Sequence, residues 1–486
     1  DDDVEYQTAR EKVEYLFAAR KGTRHFTSAK EWSDSVPKSS LDGQRESVIH
    51  EDIYDDVRKG KTTKEQLRLQ FGVREGERLC GVGLLKRHGN RKRRVNSTND
   101  DSFFSTSHVA SLPLLETLTD KSAVEKYINR LKEIGISEFN RVPIPKGADE
   151  HPAFGRNDGH LLFEERLGDY FEKDDTGKKK LEDAREALRN FLKIALGNKK
   201  PKPYYALLLA DGDAMGKAID AQTSRKKHQE LSGELSQFAK EVRELVEIKH
   251  KGSLIYSGGD DVLAFIPLHT VLACAKDLAD SFARKLARFE ITENDKAYSP
   301  TLSVGIAVMH HLDPLEDALE LARKAEKAAK AVKGKNALAV IIDKRSGVSR
   351  MLKGRWGTID KRLKQLIKWH QEKEALNSAA YQLRDLANRL EVSENVSDED
   401  KVILQRAKLA EAKRILERKE IREEALQELK NFLDDIREVL KEDHLSKGKD
   451  EKDFVDKSVE VLADELIIAK IFADAKNLAE GKKTNG

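Results

Sequence analysis

The sequence has few cysteines, since Cys80 and Cys274 are the two thiols among its 486 residues. Two thiols cannot form a disulfide framework, and so low a number is typical of a protein in a reducing compartment. No apolar run approaches the ~18–20 residues that a membrane-spanning helix needs, and the first residues do not form a charged-then-apolar leader. We therefore expect a cytoplasmic protein without membrane contact.

The sequence also lacks a large net charge. Charged residues make up 36% of the chain, yet the formal net charge is only +3. Any contact with nucleic acid must therefore come from local basic patches and not from bulk charge. The densest basic run is KRHGNRKRR at residues 86–94, which is either an RNA-phosphate contact or, more commonly for such runs, a solvated loop.

The length of the chain exceeds what one hydrophobic core usually supports, so several domains are expected. Residues 1–200 are polar and irregular with weak helical patches, and the KKPKP stretch at 199–203 marks their end. In residues 201–346, short apolar runs alternate with amphipathic segments. In residues 347–486, apolar residues recur at three- and four-residue spacing, which predicts a helical bundle.

The apolar runs of the central domain predict a sheet. They are YYALLLA (204–210), SLIYS (253–257), VLAFIP (262–267), TLSVGIAVM (301–309) and ALAVII (337–342), with helical patterns between them. This order is β-α-β-β-α-β with an added strand, the ferredoxin-like arrangement. The predicted fold class is therefore α+β, with a ferredoxin-like domain between a mainly helical domain and a C-terminal helical bundle.

Two pairs of aspartates mark the candidate site. In IYSGGDDVLAFIP, a two-residue Gly-Gly turn closes a hairpin and places Asp260 and Asp261 at the start of the outgoing strand. Taken alone, this is equally well a polar hairpin tip. In YYALLLADGDAMGK, however, Asp211 and Asp213 end the first strand, which lies beside the hairpin in this fold. Clustered carboxylates of this kind suit Mg²⁺ or Mn²⁺ ions that carry substrate phosphates.

These motifs resemble a known family. ADGDAMGK, SGGDD, TLSVGIAV and KAVKGKNALAV occur in the order found in the GGDEF-like cyclase and polymerase palm. The GGDD form is similar to the large palm subunit of type III CRISPR effector complexes, especially the Cmr branch (the Cas-ten family). Upstream, ERLCGVGLLKR (77–87) and STSHVASLP (105–113) resemble segments of that subunit's middle domain.

The resemblance implies a target-RNA-activated nucleotidyltransferase. Such a subunit works with other Cmr-type subunits, a CRISPR guide RNA and target RNA, and joins ATP into cyclic oligoadenylate second messengers in antiviral defence. Three alternatives stay open: the same site makes an AMP conjugate of S-adenosylmethionine, the chain is a catalytically weak ATP-binding scaffold, or it is a diguanylate cyclase.

The resemblance also implies roles for individual residues. Asp211, Asp260 and Asp261 are expected to be catalytic and to bind metal, with Asp213 as a further metal ligand. The expected nucleotide contacts are Ser257, Gly258 and Gly259, the backbone of Gly212, and the ammonium groups of Lys335 and Lys330, which would meet the triphosphate.

Three departures from the family pattern limit these expectations. The positions of a family zinc site read Ser39, Asp42, Cys80 and Gly83, which is not a credible zinc ligand set, so we expect no zinc and a loop held by packing. No His-Asp dipeptide occurs, so DNase activity is not expected. The strand pattern of a first palm domain is missing, so the sequence is expected to be trimmed or to lack that domain.

Overall fold

The computed structural model describes residues 2–23, 33, 35–73, 75–88, 103–136, 139, 141–171, 174–293, 295–345, 347–372, 376–391, 397–448, 450 and 454–482. It divides the chain into two compact units, residues 1–102 and 103–486. This division falls within the domain predicted for residues 1–200, because the helices after residue 103 share a core with the sheet. The predicted boundaries near residues 200 and 346 stay predictions.

The first unit is a small helical body. It contains α1 (Asp2–Gly22), α2 (Glu51–Arg58), α3 (Lys64–Phe71) and α4 (Gly81–His88). Its core is built around Tyr54 and Leu79, which are both fully buried. The Tyr54 hydroxyl donates a hydrogen bond of 2.7 Å to the carbonyl of Glu77, which satisfies the polar end of the buried ring.

The second unit begins with α5 (Thr106–Leu115), α6 (Lys121–Ile134), α7 (Glu164–Leu167) and α8 (Asp175–Leu196). Three of these helices have N-cap residues, Ser105, Asp120 and Asp174. Their side chains accept the backbone N–H groups of His108, Ala123 and Gly177, respectively. The Tyr127 and Phe191 rings stack at a centroid distance of 4.8 Å and join α6 to α8.

The central sheet has six strands in the order β2-β3-β1-β6-β7-β8. The strands are β1 (Tyr204–Asp213), β2 (Ser253–Ser257), β3 (Val262–Ile266), β6 (Thr301–His310), β7 (Ala337–Ile342) and β8 (Arg350–Arg355), while β4 (Ile291–Glu293) and β5 (Lys296–Tyr298) form a separate hairpin. The first strand pairs antiparallel with β3 and β6, and β6 runs parallel to β7. The predicted ferredoxin-like order is confirmed, whereas the hairpin and β8 were not predicted.

Helices cover both faces of this sheet. The helices between the strands are α9 (Met215–Asp220), α10 (Arg225–Arg243), α11 (Val271–Leu286) and α12 (Leu315–Lys330). The side chains of α10 and α11 bury one face, and those of α5 and α12 bury the other. On the α12 side, a Cβ on Gly305 of β6 would stand 2.2 Å from the Glu326 nitrogen. Only glycine therefore lets α12 lie this close to the sheet.

The C-terminal part of the chain is helical, as predicted. Its elements are α13 (Ile359–Gln371), α14 (Leu376–Arg389), α15 (Asp398–Glu417), α16 (Glu423–Ser446) and α17 (Ser458–Ala479). The central helix α17 is largely buried and packs against α13, α14 and α16. Buried Glu465 accepts two hydrogen bonds from Arg362, of 2.7 and 2.6 Å, so its charge is paired within the bundle. No helix in the described residues is long and apolar enough to cross a membrane.

Candidate active site

The glycine turn between β2 and β3 carries the first pair of carboxylates. Ser257 pairs with Val262, and the Gly258 N–H donates a 3.0 Å hydrogen bond to the Asp261 carbonyl. The central residues of the turn are therefore Gly259 and Asp260, and only Gly259 has a positive φ, of 85°. This corrects the predicted Gly-Gly turn: Asp260 lies in the turn itself and not at the start of the outgoing strand.

The end of β1 lies directly against this turn. The ladder between β1 and β3 runs to the pair Ala210–Val262, so the next residues of β1 face the turn. A Cβ on Gly212 would stand 2.8 Å from the Asp260 Cβ and 3.0 Å from its Oδ2. Because Gly212 has no Cβ, the Asp260 side chain can lie directly against the β1 backbone. The two acidic motifs are therefore close together, as predicted.

Helix α12 brings a cation to the same edge. The Lys330 ammonium forms an ion pair with Asp211 and lies 3.4 Å from Glu326, one turn earlier on the helix. Burial, together with the nearby Lys335 charge, lowers the pKa of Lys330. In this structure Lys330 thus neutralises Asp211, a contact that was not predicted.

The carboxylates at this edge repel one another. Burial, with the Asp261 charge as a further cause, raises the pKa of Asp260. Burial also raises the pKa of Glu326, and the charges of Asp213 and Asp261 raise it further. Glu326 was not predicted as a site residue, although its four-residue spacing from Lys330 places both side chains on one helix face. A bound cation would relieve this repulsion.

The residues present fit a divalent cation in their chemistry. Asp211, Asp260 and the Gly212 carbonyl offer the hard oxygen atoms that Mg²⁺ and Mn²⁺ prefer. Within the described ranges, however, no group of three or more His, Cys, Asp or Glu side chains is arranged to hold a metal ion. A metal would therefore have to take the position that Lys330 holds at Asp211.

Asp213 occupies a different environment from the other aspartates. It is 3% exposed, and its Oδ2 accepts hydrogen bonds from Thr301 Oγ1 (2.9 Å), Ser303 Oγ (2.8 Å) and the Asn336 backbone N–H (3.1 Å). Its Oδ1 is buried without a hydrogen-bond partner in the part of the chain that the structure describes. Asp213 thus fixes the turn before β7, and its assignment as a metal ligand stays a prediction.

The expected nucleotide contacts lie on two sides of the carboxylates. On the hairpin, the Ser257 Oγ is buried without a hydrogen-bond partner among the described residues. Next to it, a Cβ on Gly258 would stand 1.9 Å from the hydroxyl of Tyr256, whose side chain folds over the turn. On the other side, Lys335 lies in the turn that Asp213 fixes.

The four positions of the family zinc site lie together in the first unit. Hydrogen bonds from the Gly83 backbone and the Ser39 side chain lower the pKa of the Cys80 thiol. The Asp42 Oδ1 accepts the backbone N–H groups of Gln44 and Arg45, at 3.0 and 3.1 Å. Hydrogen bonds within the chain therefore supply contacts in this loop, in addition to the predicted packing.

The structure also describes His108 and part of the basic run at residues 86–94. His108 is buried, and its Nδ1 accepts the Gly159 N–H at 2.9 Å, so this histidine has a structural role. Of the basic run, residues 86–88 belong to α4, and 89–94 lie outside the described residues.

Comparison with known proteins agrees with the motifs. Residues 204–339 match the family model described as Cas10/Cmr2, second palm domain. The CRISPR system Cmr subunit Cmr2 of Pyrococcus furiosus is 35% identical over 179 residues, which cover 31% of this chain and 20% of that protein. The chain thus spans about a fifth of the length of this curated relative.

Two kinds of solved structure are similar at lower identity. A type III-B Cmr-beta complex in its apo state contains a chain that is 14% identical, with a TM-score of 0.49, over 84% of this chain and 56% of that chain. A GGDEF domain from Pseudomonas aeruginosa is 21% identical, with a TM-score of 0.20, over 26% of this chain and 72% of that chain.

Proposed function

We propose that the chain is the large subunit of an RNA-guided type III Cmr effector complex, because residues 204–339 match the family model described as Cas10/Cmr2, second palm domain. In this role it is a metal-dependent nucleotidyltransferase that joins ATP into cyclic oligoadenylates when target RNA binds. The observation that carries the proposal is the packing of Asp260 against Gly212, beside Asp211. A pure scaffold has no need of clustered carboxylates, which cost stability without a cation.

Asp211, Asp260 and the Gly212 carbonyl are the groups that would hold Mg²⁺ or Mn²⁺. Such a cation, when bound, favours ionisation of an attacking 3′-hydroxyl and neutralises charge on the leaving pyrophosphate. Lys330 would then leave Asp211 and become available to the triphosphate. Because α12 is fixed on the sheet by the contact at Gly305, only the side chain of Lys330 has to move.

The remaining residues position the nucleotide. Gly258 and Gly259 carry no side chains, so a nucleotide can approach the turn backbone closely at Gly259, and at Gly258 once the Tyr256 side chain moves away. Asp261 would orient the attacking 3′-hydroxyl. The Ser257 hydroxyl, which is buried without a hydrogen-bond partner among the described residues, would bond to the nucleotide. Lys335 would meet the phosphates as a point charge.

The proposed partners follow from the same family. They are the other Cmr-type subunits, the CRISPR guide RNA and the target RNA, in the cytoplasm. The 35% identical relative is a Cmr subunit, which supports this assignment. No zinc is required by the proposal, since one cysteine among the four positions around Cys80 does not make a zinc site.

The test is product formation by the assembled complex. The complex is incubated with target RNA, Mg²⁺ or Mn²⁺ and labelled ATP, with and without S-adenosylmethionine, beside an Asp260→Ala/Asp261→Ala variant. A matched control is Asp434→Ala/Asp435→Ala, an exposed aspartate pair on α16.

We expect adenylate products that need target RNA, persist in the control and vanish in the palm variant. A product formed only with S-adenosylmethionine would change the acceptor and keep the site. Absence of any product, with RNA binding intact, would contradict the proposal and favour the scaffold alternative.

A further inference from the structure

A tight turn links α12 to β7 beside the carboxylates. Its residues Gly334, Lys335 and Asn336 have successive positive φ angles of 80°, 52° and 47°. For non-glycine residues this conformation costs on the order of 1 kcal/mol each and persists where the surroundings enforce it, often at functional sites. Here Asp213 binds the Asn336 N–H, and the Asn336 carbonyl accepts the Trp356 N–H at 2.9 Å.

Arg355 lies over this turn. It is the last residue of β8 and pairs with Ala337, the first residue of β7. Its Cζ lies 3.6 Å, and its Nη2 3.7 Å, from the point where a Cβ on Gly334 would stand. The backbone hydrogen bond between Trp356 and Asn336 fixes the end of β8 at the same place. The guanidinium therefore lies on the turn that carries Lys335.

Within the described residues, the cations at this turn have no carboxylate partner. Arg355 is exposed, and neither Arg355 nor Lys335 has a salt bridge to a carboxylate among the residues that the structure describes. Lys335 is also close enough to Lys330 to lower its pKa. Cations gathered at a fixed turn repel one another, so an anion bound between them would be favoured.

We propose that Arg355 binds the terminal phosphates of the nucleotide, together with Lys335. This inference rests on the proposed function of the palm and adds a residue from the edge strand β8 to its site. A guanidinium can hold a phosphate through two parallel hydrogen bonds, which gives direction as well as charge. The ammonium of Lys335, the middle residue of the same turn, supplies a second positive charge.

The test is equilibrium binding to the full chain in Mg²⁺, with ATP, AMP and inorganic tripolyphosphate as probes. The variants are Arg355→Ala, Arg355→Lys and the control Lys353→Ala. Lys353 is exposed on the same face of β8, ~7 Å away along the strand. All variants are compared after their thermal unfolding has been measured, and we expect Arg355→Ala to unfold like the wild type because its side chain is exposed.

We expect Arg355→Ala to weaken binding of ATP and of tripolyphosphate about tenfold, the size expected for charge-assisted hydrogen bonds. Binding of AMP should change less than about twofold, Arg355→Lys should recover part of the loss, and Lys353→Ala should resemble the wild type. Equal ATP affinity in Arg355→Ala and wild type would overturn the inference, as would an equal loss in Lys353→Ala.

The two proposals fail in different ways. If the complex makes no adenylate product while tripolyphosphate binding still depends on Arg355, the proposed reaction is wrong and the phosphate site stands. If wild type binds neither ATP nor tripolyphosphate, both proposals are overturned.

Discussion

Gly305 sets the distance between α12 and the sheet, and replacing it tests the geometry of the site. In Gly305→Ala, the new Cβ would lie 2.2 Å from the Glu326 nitrogen, 2.6 Å from its Cα and 2.7 Å from the Ala325 carbonyl carbon. All three atoms belong to the backbone, so the helix must move by about 1 Å or more to reach ordinary contact distance. Overpacking of this kind costs about 1–3 kcal/mol, and rigid backbone atoms favour the upper part of that range.

A second glycine provides the control. Gly233 lies inside α10, and a Cβ there meets nothing within 4 Å. In a helix interior, alanine is more stable than glycine by roughly 0.5–1 kcal/mol. The same chemical change should therefore destabilise the chain by about 2–3 kcal/mol at 305 and stabilise it at 233.

Denaturant unfolding followed by tryptophan fluorescence measures both changes, since Trp356 and Trp369 lie in the second unit. Gly305→Ala should lower the midpoint without changing the slope. It should also weaken ATP binding, because α12 carries Lys330 and Glu326. A free energy of unfolding within about 0.5 kcal/mol of wild type would show that this helix–strand contact is not as close as described.

Two further predictions concern single side chains. Lys330→Met should destabilise the metal-free chain by up to about 1 kcal/mol, as expected for a partly exposed ion pair, and Mg²⁺ should restore the lost stability. Thermal unfolding in EDTA and in Mg²⁺ measures both effects. Equal stability of variant and wild type in EDTA would contradict the ion pair with Asp211. Burial lowers the pKa of His108 from 6.5 to about 4. Between these values only the unfolded chain gains the proton, so His108 should cost about 2 kcal/mol of stability between pH 7 and pH 5. His108→Asn keeps an acceptor for Gly159 and should reduce this loss, whereas an unchanged pH dependence of unfolding would refute the assignment.

The sheet and the bundle were predictable because burial leaves a pattern in the sequence. Strands that are covered on both faces, such as β1 and β6, consist of continuous apolar runs. Strand β8 escaped prediction for the opposite reason. Its sequence RMLKGR lies at an edge of the sheet, with only Leu352 buried, so it has no apolar run to mark it.

The candidate site was predictable in composition and less so in detail. The motifs predicted that Asp260 lies near the end of β1, because the predicted strand order makes the hairpin a neighbour of β1. The turn residues, the ion pair of Lys330 and the position of Arg355 depend on register and on helix–sheet distance, which no local pattern contains. Asp213 is an example. Only the fold shows that hydroxyl groups of β6 donate hydrogen bonds to one of its carboxylate oxygens.

The account's central claim is that Asp211 and Asp260 hold a metal ion that carries the triphosphate. The most direct measurement is a crystal structure of the chain with Mn²⁺ and a non-hydrolysable ATP analogue, recorded at a wavelength where Mn²⁺ scatters anomalously. The predicted result is an anomalous peak between the two carboxylates, with Lys330 turned away from Asp211 and the phosphates beside Lys335. A bound nucleotide without Mn²⁺ at Asp211, or with its phosphates away from this turn, would contradict the claim.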